Sequence, residues 1–295
     1  MISYIAIIIA ALLLGVNFTI QNKFQQKVGG EQKDVLIYNQ IVTAFAAVII
    51  FGCNGFRLHI TPYSVLMALA MSSMKILYIV IGFRIMKLEG ITLYSLFLMT
   101  GAMVIPYLWG IAFLDEQFTF LRAIGLVLIV ISMTISGASG KKADLHLLAL
   151  CIAVFLLNGF ACVINKQHQI ETRFLAVDTG DFLVLINVLS FVLTSAALLA
   201  NPKKNKNAKP PEKGYGDYLK AAIFLLIGAA VVDGSALFLQ LFAAITLPAT
   251  VLYPFVTGAS VLFSSALDYF VFKKKPTPKI WLSLGICMIG TLLFL

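Results

Sequence analysis

The sequence predicts an all-α integral membrane protein, with ten transmembrane helices arranged as two inverted five-helix repeats. Three observations carry that expectation. The first is composition: of 295 residues, 60% are hydrophobic and 12% charged, against about 25% charged in an ordinary soluble domain. With a mean hydropathy of +0.97, the chain has more apolar surface than one globule of its size can hide, so lipid must solvate part of it. The second is the division of the chain into ten apolar runs. The third is that features of the first five runs return, in order, in the second five.

The runs are 3–22, 33–53, 62–84, 91–114, 119–138, 144–165, 178–200, 218–244, 247–272 and 279–295. A spanning helix needs about 20 apolar residues, which these runs approach. The first begins MISYIAIIIAALLLG, with no basic leader and no small-residue cleavage site, and reads as a retained helix and not a signal peptide. Thr61-Pro62 and Asp144 are helix-start residues for the third and sixth runs. Gly101 and Gly258 would let the fourth and ninth helices pack closely, and Pro106 and Pro254 would kink them. The stretch NPKKNKNAKPPEKGYGD, 201–217, holds five lysines and three prolines and no apolar run. It reads as a solvated loop, basic because it is cytoplasmic and not because it binds nucleic acid.

Of the 22 Lys and Arg residues, about 17 fall in or beside odd-numbered loops and about four in even ones. Basic loops stay inside, so the expected protein is a multi-pass protein of the plasma or inner membrane with both termini outside. The four cysteines form no CxxC and read as small buried hydrophobes. The three histidines are scattered, so no metal site or cofactor is expected. There is no GxxxxGK[ST] motif, which argues against ATP as the direct energy source.

The repeat is most visible where INKQHQ (164–169) echoes IQNKFQQ (20–26). Ile9, Ala10, Leu13, Leu14, Asn22, Lys23 and Gln26 return 143 positions later as Ile152, Ala153, Leu156, Leu157, Asn165, Lys166 and Gln169. Thr100-Gly101-Ala102 returns as Thr257-Gly258-Ala259, and Gly125 as Gly285. Residues 1–140 and 144–295 are therefore expected to be two five-helix units. Five is odd, so the second unit starts from the opposite side of the membrane, an inversion common among secondary transporters.

Three stretches resemble the EamA-type drug/metabolite transporter superfamily. ALLLGVNFTIQNK (11–23) is similar to its first-helix pattern LLWGxNFxxxK. FLDEQFTFLRAIGLVLIVISMTISG (113–137) resembles its passage from fourth to fifth helix, with Glu116 before the turn and Gly125 inside the helix. LYPFVTGASVLFSSALDYFVFKKKPTPKIWLSLGICMIG (252–290) resembles the same passage in the second half. The resemblance implies a ten-helix carrier with a central cavity lined mainly by helices 1–4 and 6–9. This chain departs from the pattern at Leu14, which replaces the Trp, and at Lys273-Lys274-Lys275, which replaces the acidic residue before the last helix. The first helix also lacks the embedded Glu of the small multidrug branch.

Only Lys75 and Asp233 are read as ionisable residues deep within spans. Each costs roughly 2.5–3.5 kcal/mol at a helix centre, and the two occupy near-equivalent places in the repeats. Three readings are open: a buried ion pair joining the halves, contacts to the two ends of a charged or zwitterionic substrate, or proton coupling through Asp233. Ser72 and Tyr78 share a helix side with Lys75, and Gln240 lies two turns beyond Asp233. Asn39 and Asn187 are repeat-mates; Asn17, Tyr94, Ser95 and Tyr253 could complete an amphipathic pocket.

The expected function is secondary active transport of a small polar or amphipathic metabolite, an amino acid or other zwitterion being favoured, by alternating access. The expected partners are that solute, the lipid bilayer and a coupling proton, with no nucleic acid. A flippase for a lipid or lipid-linked sugar on the same fold is the alternative. Behind it stands a membrane-embedded enzyme, for which Asp178, Asp181, His168 and Glu171 form the one acidic and histidine cluster.

Overall fold

A computed structural model of the chain describes residues 2–28, 32–89, 91–137, 145–200, 215–272 and 278–294, and the structural statements below concern these. Residues 201–214, Asp144 and the Lys273–Lys275 cluster lie outside them, as do the side chains of Asn22 and Gln26.

The described residues form ten α-helices: α1 Ile2–Val28, α2 Gln32–Cys53, α3 Pro62–Glu89, α4 Ile91–Phe113, α5 Phe120–Gly137, α6 Leu145–Ile170, α7 Thr179–Ala200, α8 Tyr215–Thr246, α9 Ala249–Phe272 and α10 Pro278–Leu292. Eight are long and apolar enough to cross a membrane, while α5 and α10 are shorter apolar helices. The chain thus has the length and composition of a multi-pass helical membrane protein. Two boundaries differ from the sequence expectation. Helix α6 runs on to Ile170, so Asn165 and Lys166 are helical and do not mark an exit. Helix α8 begins at Tyr215, inside the expected loop, and bends at Ala222 (φ −145°, ψ 17°).

Local chemistry explains the helix starts. The Thr61 hydroxyl accepts from the Ser64 amide at 3.3 Å and Pro62 fills the first helical position of α3, where a missing N–H costs nothing. Helix α2 closes through Gly55 and Phe56, both at positive φ (65° and 59°). Phe56 N donates to Phe51 O at 3.0 Å, and the two rings meet edge to face.

Apolar side chains cover the outside of the bundle as well as filling its core, and polar residues are buried among them. Ile5, Ile8, Ile9 and Leu12 face outward on α1, whereas Asn17, Asn39, Thr43, Ser72, Asn187, Ser190 and Thr194 are buried. Polar groups that cannot reach water must find partners within the protein, and several do so between helices. Asn39 Nδ2 donates to Thr194 Oγ1 at 2.9 Å, joining α2 to α7.

Helix α1 packs on α8 and α9, α6 on α3 and α4, α2 on α7 and α8, α7 on α2 and α3, α4 on α9, and α5 on α10. Glycines set the closest approaches. A Cβ on Gly101 would collide with the Phe155 carbonyl of α6, and one on Gly258 with Thr291 of α10. These two glycines therefore let α4 pack closely on α6 and α9 on α10. Gly125 of α5 meets Gly290 of α10 backbone to backbone, each Cβ falling within 3 Å of the other's carbonyl oxygen. Gly285, which the repeat pairs with Gly125, faces open space.

Candidate functional site

Seven helices enclose a cavity of about 410 Å³. Helices α1 to α4 contribute through Leu14, Asn17, Tyr38, Asn39, Lys75, Tyr78, Tyr94, Ser95 and Met99, among others; α6, α8 and α9 contribute Asn158, Asn165, Asp233, Gln240, Tyr253 and Val256. Helix α7 contributes no lining residue, contrary to expectation. Its inward face is spent on helix packing, with residues 180–187 all buried.

Of the sequence candidates, Asn17, Asn39, Lys75, Tyr78, Tyr94, Ser95, Asp233, Gln240 and Tyr253 are brought together around this cavity. Ser72 and Asn187 are not. Ser72 is fully buried, donating to Ile186 O at 3.1 Å and accepting from Ser190 at 3.1 Å, so it fastens α3 to α7. Asn187 turns back on its own helix and donates to Leu183 O at 2.8 Å.

The two charged lining residues do not form an ion pair: no nitrogen–oxygen contact within 4.0 Å links Lys75 to Asp233. Asp233 Oδ1 instead accepts from Asn17 Nδ2 at 2.8 Å, tying α8 to α1. No hydrogen bond from a described residue reaches Asp233 Oδ2, and Lys75, half-buried, has no hydrogen bond or ion pair among the described residues.

The remaining polar wall is partly satisfied. Tyr253 donates to Cys162 O at 2.6 Å and Asn158 to Leu98 O at 2.8 Å. Gln240 makes a long 3.3 Å bond to Ala236 O. Three buried lining atoms have no partner among the described residues: Asn17 Oδ1, Asn165 Oδ1 and the Tyr38 hydroxyl. A buried unmet polar atom costs about 1–3 kcal/mol. Sequence reasoning missed Tyr38, Asn158 and Asn165. Asn165 stood in the repeated motif but was read as a helix exit, and Tyr38 sits beside Asn39 without a periodicity that distinguishes it.

Sequence reasoning named Asp181 and His168 only as part of a cluster and Lys166 only as part of a repeated helix exit, and did not foresee their burial. Lys166, Asp181 and His168 are more completely buried than the cavity charges. They lie near helix ends, where backbone groups left over from the helices supply partners. Lys166 Nζ donates to the carbonyls of Ala244 and Leu247 at 2.6 and 2.7 Å, at the end of α8. Glu116 accepts from the amides of Ala249 and Thr250 at 2.6 and 2.8 Å, at the start of α9.

The cluster considered for catalysis is likewise occupied. Asp181 accepts from Asn54 at 2.9 Å and from the backbone N–H and ring of His59 at 3.1 and 2.9 Å. His168 stacks on Phe182 with centroids 3.5 Å apart and bonds Ser64 Oγ at 2.9 Å. Glu171, beyond the end of α6, accepts from the Arg173 amide, which holds its carboxyl below the ordinary range. No group of three metal-ligating side chains occurs among the described residues.

No family model and no curated protein matches the chain. A solved structure described as "Crystal structure of protein" is similar in fold, with a TM-score of 0.76 and 11% identity, covering 99% of this chain and 95% of that one. The likeness establishes a similar fold and nothing about activity.

Proposed function

We propose that this protein is a secondary transporter of the EamA drug/metabolite type, carrying a small zwitterion through the cavity by alternating access. One observation carries the reading. A single cavity holds a carboxylate whose one partner among the described residues is an amide, and a cation with no partner among them. In a low-dielectric interior two such charges attract strongly, and a pair serving only structure would be expected to close. Held apart, they can each take one end of an amino acid, Lys75 its carboxylate and Asp233 its ammonium. Leu14, Leu98, Met99 and Val256 offer apolar surface for a side chain.

The packing pattern supports an inverted repeat. Exchanging each of α1–α5 with the helix five further on turns α1 on α8 into α6 on α3, α1 on α9 into α6 on α4, and α2 on α8 into α7 on α3, all of which occur. The pairs α2 on α7, α4 on α9 and α5 on α10 map onto themselves. Where the pattern breaks, it supports alternating access. Helix α8 also packs on α6 and α7, but α3 has no matching substantial contact with α1 or α2. Ala249–Ser260 of α9 are buried without interruption. With basic loops inside, this reading places both termini outside. Asp233 is also the proposed proton-coupling group, so Asp233→Asn should abolish pH-driven uptake.

Counterflow in liposomes reconstituted with purified protein tests the reading. Labelled apolar amino acids should exchange faster than in protein-free liposomes, and Lys75→Met and Asp233→Asn should each remove the exchange. Absence of exchange for every zwitterion, with the protein folded and inserted, would reject it.

A further inference from the structure

The two ends of the cavity differ in the hydrogen bonds they leave unmet, and the difference concerns the cationic end. Asp233 is hydrogen-bonded to Asn17, and Tyr38 and Tyr78 line the same cavity. An ionised carboxylate only accepts, so the group of Asn17 that faces it must be its NH₂, and the amide orientation is fixed. Asn17 Oδ1 therefore points away from Asp233 and finds no donor, although the residue is only 5% exposed. Asn165, 6% exposed, likewise lines the cavity with an unpartnered Oδ1. Asp233 Oδ2 receives no hydrogen bond from a described residue. The unmet atoms are thus predominantly acceptors: one carboxylate oxygen and two amide oxygens, beside the Tyr38 hydroxyl, which can act either way.

Aromatic side chains around the same space, Tyr38, Tyr78, Tyr94 and Tyr253, would suit a quaternary ammonium through their ring faces. A quaternary ammonium has no N–H, however, and would leave every one of those acceptors unpaired. A primary ammonium carries N–H donors and can meet Asp233 Oδ2 and Asn17 Oδ1, which belong to two hydrogen-bonded residues. Sites built to bond a substrate N–H reject analogues that lack it, because the unpaired buried acceptors remain.

We propose that the cavity selects zwitterions whose cation is a primary ammonium, and that Asn17 determines this choice, fixing Asp233 through Nδ2 and meeting the substrate through Oδ1. This rests on the zwitterion reading given above. Quaternary zwitterions of the betaine type are excluded as substrates, although their charges match.

The test is ligand-induced thermal stabilisation of the purified protein, with leucine, phenylalanine and tryptophan, each against its N,N,N-trimethyl derivative. The primary amines should bind about tenfold or more tightly than their trimethyl partners, the worth of one unmet bond to a charged group. In Asn17→Val the preference should shrink towards parity. A purely structural role for Asn17 would weaken both members of each pair equally and leave their ratio unchanged, which would overturn its assignment. Equal binding of primary and trimethyl ligands by the wild type would overturn the substrate inference and leave the zwitterion reading standing. Failure of both members of all three pairs would overturn the two together.

Discussion

Lys166 and Glu116 hold the same turn by opposite charges. The lysine caps the carbonyl end of α8 and the glutamate caps the amide end of α9, with Pro248 between them. Each charge complements the dipole of the helix end it meets. The glutamate of the motif FLDEQ therefore has a mechanical role, since it ties the α4–α5 connection to the entry of α9.

Loss of either group should destabilise the protein. Glu116→Gln should cost about 0.5–2 kcal/mol, the worth of a helix N-cap. Lys166→Met should cost about 1.5–3 kcal/mol, because two carbonyls lose a charged donor. Melting curves in detergent check both. If the turn also seals the outward end, cavity accessibility from that side should rise in both variants.

Lys75→Met should behave in the opposite way. This cation has no partner among the described residues, so removing it sacrifices no contact and relieves desolvation. Its melting temperature should equal or exceed wild type, even as the preference for leucine over its carboxylate-free analogue disappears. A large drop in melting temperature would show that Lys75 supports the fold.

Glycine substitutions should separate packed crossings from open surface. Gly101→Ala would place a methyl against the Phe155 backbone and Gly290→Ala one against Gly125, each costing about 1–3 kcal/mol. Gly285→Ala meets nothing within 4 Å and should be neutral or slightly stabilising. Comparative melting of the three variants decides this.

The helices were legible because a bilayer demands long apolar runs, and Thr61-Pro62 is a local start signal. Most of the cavity was legible for a related reason: a polar residue in the middle of such a run is costly, so Lys75, Asp233, Asn17 and Asn39 stood out. Ser72 and Asn187 stood out equally, yet face helix contacts, because the cost of burial is met as well by a neighbouring carbonyl as by a cavity. Lys166 and Asp181 were not legible because at a helix end a buried charge and a solvated one look alike in sequence. The separation of Lys75 from Asp233 was beyond sequence altogether, since repeat equivalence places residues on partner helices without fixing the gap between them.

The central claim is that Lys75 and Asp233 hold opposite ends of one solute, and matched ligand deletion tests it most directly. Thermal stabilisation would be measured with leucine, with isoamylamine, which lacks the carboxylate, and with 4-methylpentanoate, which lacks the amine. Wild type should prefer leucine. Lys75→Met should bind isoamylamine as well as leucine, and Asp233→Asn should bind 4-methylpentanoate as well as leucine, because each variant has lost the group that recognised the deleted end. An unchanged ligand order in both folded variants, or no stabilisation of wild type by leucine or any other amino acid, would contradict the account.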